Sequence, residues 1–308
     1  MKLNFLTQPI NIHSDLAEML QLALLSPQSN FRCFDLPYRL SSCASDSDEN
    51  GQLWYKDDQL IAWAILQTPF WALDFCIHPE YEEDMLPIIL KWTDQKATAL
   101  FDTQCGRSAW YAQIFSDQNE RMHALEEAGY RNQVDVGEDS WSKVLLQRSN
   151  QPLWKKYPPP SGFTIRPLVG ELEVPAYVDL HQTVFDSKNM TIEWRSRMLN
   201  LPQYQPDLDI VVESPDGTLA AFCIGWITQD IHGDWHGQIE PLGCHPNFRQ
   251  FALGRVALCE VMHRMLSKGV RSIWVETDNY RNTAFRLYRS FDFEVVREVF
   301  IFRKNFCK

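Results

Sequence analysis

Residues 158–160 are three consecutive prolines, with Gly162 two places further on. Proline fixes φ and has no N–H to donate, so such a run fits neither a helix interior nor a paired central strand. The stretch 147–162, which also holds Pro152, Lys155 and Lys156, therefore reads as an extended linker between two folding units, with the boundary near residue 155. A chain of 308 residues is long for a single core and fits two domains of about 150 residues each. The expectation is one domain over 1–150 and a second over 151–308.

The two halves also share sequence. His78-Pro79-Glu80-Tyr81 matches His245-Pro246-Asn247-Phe248 at an offset of 167. Leu125 to Tyr130 matches Tyr288 to Phe293 at an offset of 163. Offsets so close together point to one fold used twice.

The second half is the easier to read. Residues 163–167 alternate as a strand does, and 174–185 follow with helical spacing. Thr191 is placed to cap a second helix that carries Trp194, Met198 and Leu199. Residues 209–213, the turn Pro215-Asp216-Gly217 and residues 219–227 read as a hairpin. A strand over 237–244, an amphipathic helix over 254–266, a buried strand at 273–275, a short helix over 283–290 and a closing strand over 293–302 complete the order β-α-α-β-β-β-α-β-α-β.

Composition narrows the partners. A net charge of −11 disfavours nucleic acid, whose affinity comes largely from Lys and Arg on phosphates, and suits a neutral or cationic ligand. No apolar run approaches the ~20 residues that span a bilayer, and Thr7 and Gln8 interrupt the apolar start, so a soluble cytoplasmic protein is expected. The eight cysteines form no C-x-x-C pair and read as reduced thiols. His232 and His236 flank Gly233-Asp234, which reads as a turn between two strands, and no metal site is expected there.

The segment that carries chemistry runs from Glu240 to Arg255, where a strand enters a loop and the loop a helix. Small residues at Ala252 and Gly254 let backbone amides at the helix start turn toward an anion, and the positive end of the helix adds to the attraction. A strand, turn and helix also occur with no ligand, so this pattern alone leaves both readings open.

The segment resembles the acetyl-CoA-binding motif of the GNAT N-acetyltransferase superfamily, Gln/Arg-x-x-Gly-x-Gly/Ala, through Arg249, Ala252 and Gly254. Asn282-Thr283-Ala284-Phe285-Arg286-Leu287-Tyr288, closing on Asp292-Phe293, resembles the family's second signature. The resemblance covers residues 163–303 in motif order and is similar to the C-terminal domain of tandem GNAT proteins of the mycothiol synthase type. It implies an α+β (mixed α/β) fold of two tandem domains, each a mixed, mostly antiparallel sheet flanked by helices. Two positions depart from the family: Ala252 and Asp292 stand where glycine is usual.

The resemblance implies acetyl-CoA as co-substrate, held by Leu242, Gly243, Cys244, Arg249, Gln250, Phe251, Ala252, Leu253, Gly254 and Arg255, with Asn282 and Phe285 beside the pantetheine arm. Tyr288 matches the tyrosine that protonates the departing thiolate. Glu240, on the same strand and on the face of 242 and 244 if no bulge intervenes, is placed to take the ammonium proton. His181, Phe185, Asp186, Trp194 and Trp226 are acceptor-side candidates, and Asp186 with Glu240 would favour a cationic amine. In the first half, Glu82, Met85 and Pro87 fall at the places of Arg249, Ala252 and Gly254, and Leu125 at that of Tyr288, so that half reads as a worn copy. The acceptor expected is a small-molecule amine; a protein or peptide acceptor and a noncatalytic acyl-CoA sensor stay open.

Overall fold

The computed structural model describes residues 5–26, 34–47, 50–103, 105–136, 142–149, 151–152 and 156–306. The boundary expected near residue 155, the start of the chain before residue 5, Cys33 and Cys307 lie outside the described residues. The chain divides into two compact units: unit 1 is residues 1–145, 276–285 and 295–308, and unit 2 is residues 146–275 and 286–294.

Unit 1 begins with β1 (Leu6–Pro9), α1 (Ile12–Leu25), α2 (Asp35–Leu40) and the strands β2 (Gly51–Lys56), β3 (Gln59–Gln67) and β4 (Ala72–Ile77). Then come α3 (Glu82–Leu100), β5 (Ala109–Phe115), α4 (Asn119–Glu127), β6 (Arg131–Asn132) and β7 (Ser142–Ser149), whose last residues pass into unit 2. Strands β1 to β4 pair antiparallel in sequence order. β4 and β5 run parallel, paired only at Ala72↔Tyr111 and Leu73↔Ala112 before they diverge. The core beneath them gathers Ile61, Leu73, Phe75, Met85, Ile89 and Trp110.

Unit 2 holds β8 (Thr164–Pro167), α5 (Val174–Phe185), α6 (Ile192–Leu199), β9 (Asp209–Glu213), β10 (Leu219–Gln229), β11 (Trp235–Cys244), α7 (Leu253–Ser267) and the start of β12 (Ser272–Asp278). After it come α8 (Asn282–Arg289) and β13 (Glu294–Asn305), so the expected order of ten elements is the observed one. Strands β8 to β11 pair antiparallel in order. β11 and β12 run parallel from His236↔Ser272 to Gln238↔Trp274 and then part.

Two expectations need correction. The strand expected to close the second domain exists, but β13 pairs antiparallel with β5 from Val299↔Phe115 to Asn305↔Ala109, which puts 295–308 in unit 1. The linker expected from 147 starts later, because β7 runs to Ser149.

The repeat holds at the level of single hydrogen bonds. After β4, His78 Nδ1 accepts from the Glu80 N–H at 3.3 Å; after β11, His245 Nδ1 accepts from the Asn247 N–H at 3.2 Å. After α4, Tyr130 N–H donates to Leu125 O at 2.9 Å; after α8, Phe293 N–H donates to Tyr288 O at 3.3 Å. Gly129 and Asp292, equivalent residues, both have positive φ (87° and 64°).

Candidate functional site

In unit 2 the strand, loop and helix expected to cradle a phosphate are all present. β11 ends at Cys244, a 3-10 segment spans Pro246–Phe251, and α7 begins at Leu253. Ala252 between them adopts φ 55°, ψ 28°, the left-handed conformation that glycine takes without steric cost. No side chain caps this helix start. The first amides of a helix have no i−4 acceptor within it, so such a start favours an anion, although here Arg255 N–H already donates to Ala252 O at 3.0 Å.

The surroundings favour it as well. Arg249, Gln250, Phe251 and Ala252 are exposed, while Gly254 and Arg255 are half-buried and Leu253 is buried. Arg255 lies over the Tyr157 ring at 5.3 Å and its Nη1 reaches the Tyr157 hydroxyl at 3.5 Å. A Cβ built on Gly254 would find nothing nearer than Cys244 Cβ at 3.9 Å, so the approach to the helix start is open. Burial raises the Cys244 thiol pKa, opposed by the Gly254 amide and by Arg249, which locates that side chain at the start of α7.

A bulge does interrupt β11. Cys223 pairs with Leu242 and Gly225 with Ile239, so Ile224 alone opposes both Glu240 and Pro241. The Glu240–Pro241 peptide is cis. The alternation that would put Glu240 on the face of residues 242 and 244 is therefore lost. The charge of Glu240 is felt instead by the Tyr177 phenol of α5. Trp226, 2% exposed, donates its indole N–H to Glu240 O at 2.7 Å and so holds the bulge. Gly243 is required here: a Cβ would come within 2.4 Å of Phe222 Cζ and 2.7 Å of Val184 Cγ1.

Tyr288 is 6% exposed and packs edge-on against Phe293, centroids 5.7 Å apart. It lies in the part of α8 that belongs to unit 2, whereas Asn282 and Phe285 fall in the 276–285 segment of unit 1. Asn282 is the first helical residue rather than the residue before the helix.

The acceptor-side candidates separate. His181 stacks on Phe222 at 5.7 Å and touches Phe185 at 4.6 Å. Burial, with the Arg195 guanidinium adding to it, presses the imidazole pKa down to about 4, so it is neutral at pH 7, and neither ring nitrogen has a partner among the described residues. Phe185 is half-buried and Asp186, exposed, ends α5 at φ 48°. Trp194 is 2% exposed and is covered by protein. His236 bonds Ser272 Oγ and Asp230 Oδ2, and among the described residues no three or more His, Cys, Asp or Glu side chains gather as a metal site.

Three features escaped the sequence. Arg195 and Asp209, both fully buried, form an ion pair on which Tyr204 also donates to Asp209 at 2.7 Å. Arg195 lies 3.9 Å over the Tyr177 ring. Tyr157, in the linker, has no pattern around it that marks it as the support of Arg255.

Residues 172–293 match the Acetyltransferase (GNAT) family. A mycothiol acetyltransferase of Thermomonospora curvata is 27% identical over 158 residues, which are 49% of this chain and 52% of that protein. The match thus spans about half the length of that curated relative. Two solved structures share the fold along most of the chain. A GCN5-related N-acetyltransferase from Sphaerobacter thermophilus has a TM-score of 0.64 at 18% identity, covering 98% of this chain and 95% of that one. A tandem GNAT protein from the clavulanic acid biosynthesis pathway has a TM-score of 0.65 at 10% identity, covering 98% of both. Among the described residues no helix is long and apolar enough to cross a membrane.

Proposed function

We propose that the chain is an acetyl-CoA-dependent N-acetyltransferase that acylates a primary amine of a small cytoplasmic molecule, such as an amino sugar or polyamine. The start of α7 carries this reading. Its first turn is uncapped, Ala252 turns it in the left-handed conformation, and Arg249 and Arg255 flank it. Those residues fit a diphosphate, because the open space above Gly254 leaves room for oxygens to reach the amides.

When bound, acetyl-CoA would supply the thioester carbonyl that an amine attacks and the thiolate that departs. On this reading Glu240 accepts the ammonium proton, directly or through water, and Trp226 keeps the bulge that presents it. Backbone amides of residues 242–244 steady the charge on the carbonyl oxygen. Tyr288 donates the proton that the thiolate takes up. Unit 1 lacks the corresponding groups: Glu82, Glu83 and Asp84 occupy the first turn of α3, and Leu125 stands at the place of Tyr288. It is a shaping domain in this scheme.

The test is release of free thiol from acetyl-CoA against a panel of amines, aminoglycosides, polyamines and amino sugars, with the product's gain of one acetyl group read by mass spectrometry. Amine-dependent thiol release supports the proposal. Tight coenzyme binding with no transfer to any amine would favour the sensor reading; transfer only to peptides would favour a protein acceptor.

A further inference from the structure

Unit 1 keeps a cavity of about 590 Å³ between the diverging ends of β4 and β5, at the starts of α3 and α4. That is the size of a small-molecule site. Its apolar walls come from Ile77, Leu86, Pro87 and Ala124. We propose that this cavity binds an organic cation, an ammonium group carried on an apolar body. The inference concerns unit 1 and stands apart from the acetyltransferase reading of unit 2.

The cavity lining holds four carboxylates, Glu82, Glu83, Asp117 and Glu120, beside the amides of Gln118 and Asn119 and the guanidinium of Arg121. The one buried cation, Arg121, is committed to Glu82 through two bonds, Nε to Oε1 at 2.6 Å and Nη2 to Oε2 at 2.7 Å. Asp117 is paired with Arg297 at 2.6 Å. The Ser26 hydroxyl donates to Ile77 O at 2.7 Å. Glu83 and Glu120 remain, both exposed on the rim, and no ion-pair partner is present for either among the described residues.

Pro87 makes a separate contribution. It lies inside α3 and, having no N–H, cannot donate to the carbonyl of Glu83 one turn earlier. Both residues line the cavity. A positively charged head group answers the two rim carboxylates, Glu83 and Glu120, while the body of the ligand covers Ile77, Leu86 and Ala124.

A phosphate is poorly served at the same place. Neither helix start has a side-chain cap, but in unit 2 a six-residue 3-10 segment (Pro246–Phe251) precedes a first turn free of acidic residues, whereas in unit 1 the 3-10 segment is only three residues (Pro79–Tyr81) and α3 opens on Glu82, Glu83 and Asp84. The two equivalent helix starts thus differ in charge, acidic in unit 1 and flanked by Arg249 and Arg255 in unit 2.

The experiment titrates the full-length protein with octylamine, octanol and octanoate, which share a body and differ in head-group charge. A diazirine-bearing octylamine then maps the site by photo-crosslinking and peptide mass spectrometry. Expected are saturable binding of octylamine over octanol and octanoate, and crosslinks in residues 77–87 and 117–124. Binding should weaken with added salt, and about five- to tenfold in the exposed-site variant Glu83→Gln/Glu120→Gln, with Glu240→Gln as the unit 2 control. Crosslinks confined to unit 2, equal binding of octanoate, or an unchanged affinity in the Glu83→Gln/Glu120→Gln variant would each overturn the proposal. Failure of amine acetylation would leave these outcomes as they are, so the two readings fail separately.

Discussion

Replacing Ala252 by glycine should strengthen the protein at the point where an alanine is least comfortable. The residue sits at φ 55°, ψ 28°, and the left-handed conformation costs an L-residue with a Cβ about 1–2 kcal/mol. Glycine removes that cost but adds freedom to the unfolded chain, worth about 0.4–1 kcal/mol in the other direction. The net gain for Ala252→Gly then lies between about 0 and 1.6 kcal/mol, centred near 0.8. Asp292 has a similar φ of 64°, yet aspartate tolerates this region better than alanine, so Asp292→Gly should gain less, under about 0.5 kcal/mol. Hydrogen exchange of peptides spanning α7 reads the stability of unit 2 directly, and protection there should rise about 2- to 5-fold in Ala252→Gly. Coenzyme affinity should stay the same or improve, because the loop keeps its shape. Loss of protection in Ala252→Gly, or a larger gain from Asp292→Gly, would show that the loop does not hold Ala252 in this conformation.

Other perturbations probe the site from different sides. Gly254→Glu adds charge where no atom but Cys244 Cβ lies within 4 Å, so calorimetry should show coenzyme binding lost while circular dichroism stays native; normal affinity would remove α7 from the site. Tyr288→Phe keeps the ring packed on Phe293 and should lower turnover about 10²- to 10⁴-fold with little change in coenzyme affinity, whereas near-normal turnover would take the phenol out of the mechanism. His181 has a folded pKa of about 4, depressed from 6.5, so between those values the unfolded chain binds a proton that the folded chain does not. Stability from this group is therefore full above pH 6.5 and declines toward pH 4 by up to roughly 3 kcal/mol, and urea midpoints of His181→Phe should lack that part of the acid sensitivity.

The order of elements in unit 2 was legible because each rests on a local signal. Thr191 caps α6 through a bond from the Trp194 N–H, as its position before an apolar-periodic run suggested, and the Asp216-Gly217 turn lies between β9 and β10. The repeat was legible for the same reason: His78 and His245 each close a turn with the residue two places on, a constraint written in adjacent residues. What a strand pairs with is a different kind of information. β13 has the composition of a strand, but nothing within it says that Phe300 faces Ile114 rather than a residue of unit 2. The partner is decided by which edge is open after the rest has folded.

The same distinction explains the part of the site that sequence reasoning misplaced. Face assignment along β11 depends on strict alternation, and a single added residue exchanges the faces beyond it. The bulge at Glu240 and Pro241 is defined against Ile224 on the neighbouring strand, so it is visible only when both strands are seen together. Its effect is to separate two groups that alternation would have joined. Cys244 turns to the start of α7, while Glu240 acts on Tyr177 of α5. The mechanism proposed above would use Glu240 as proton acceptor for the amine and the start of α7 as the cradle for the phosphates. On that proposal an unbroken strand would have put both on one face, and the bulge held by the Trp226 indole would let one strand serve the two tasks.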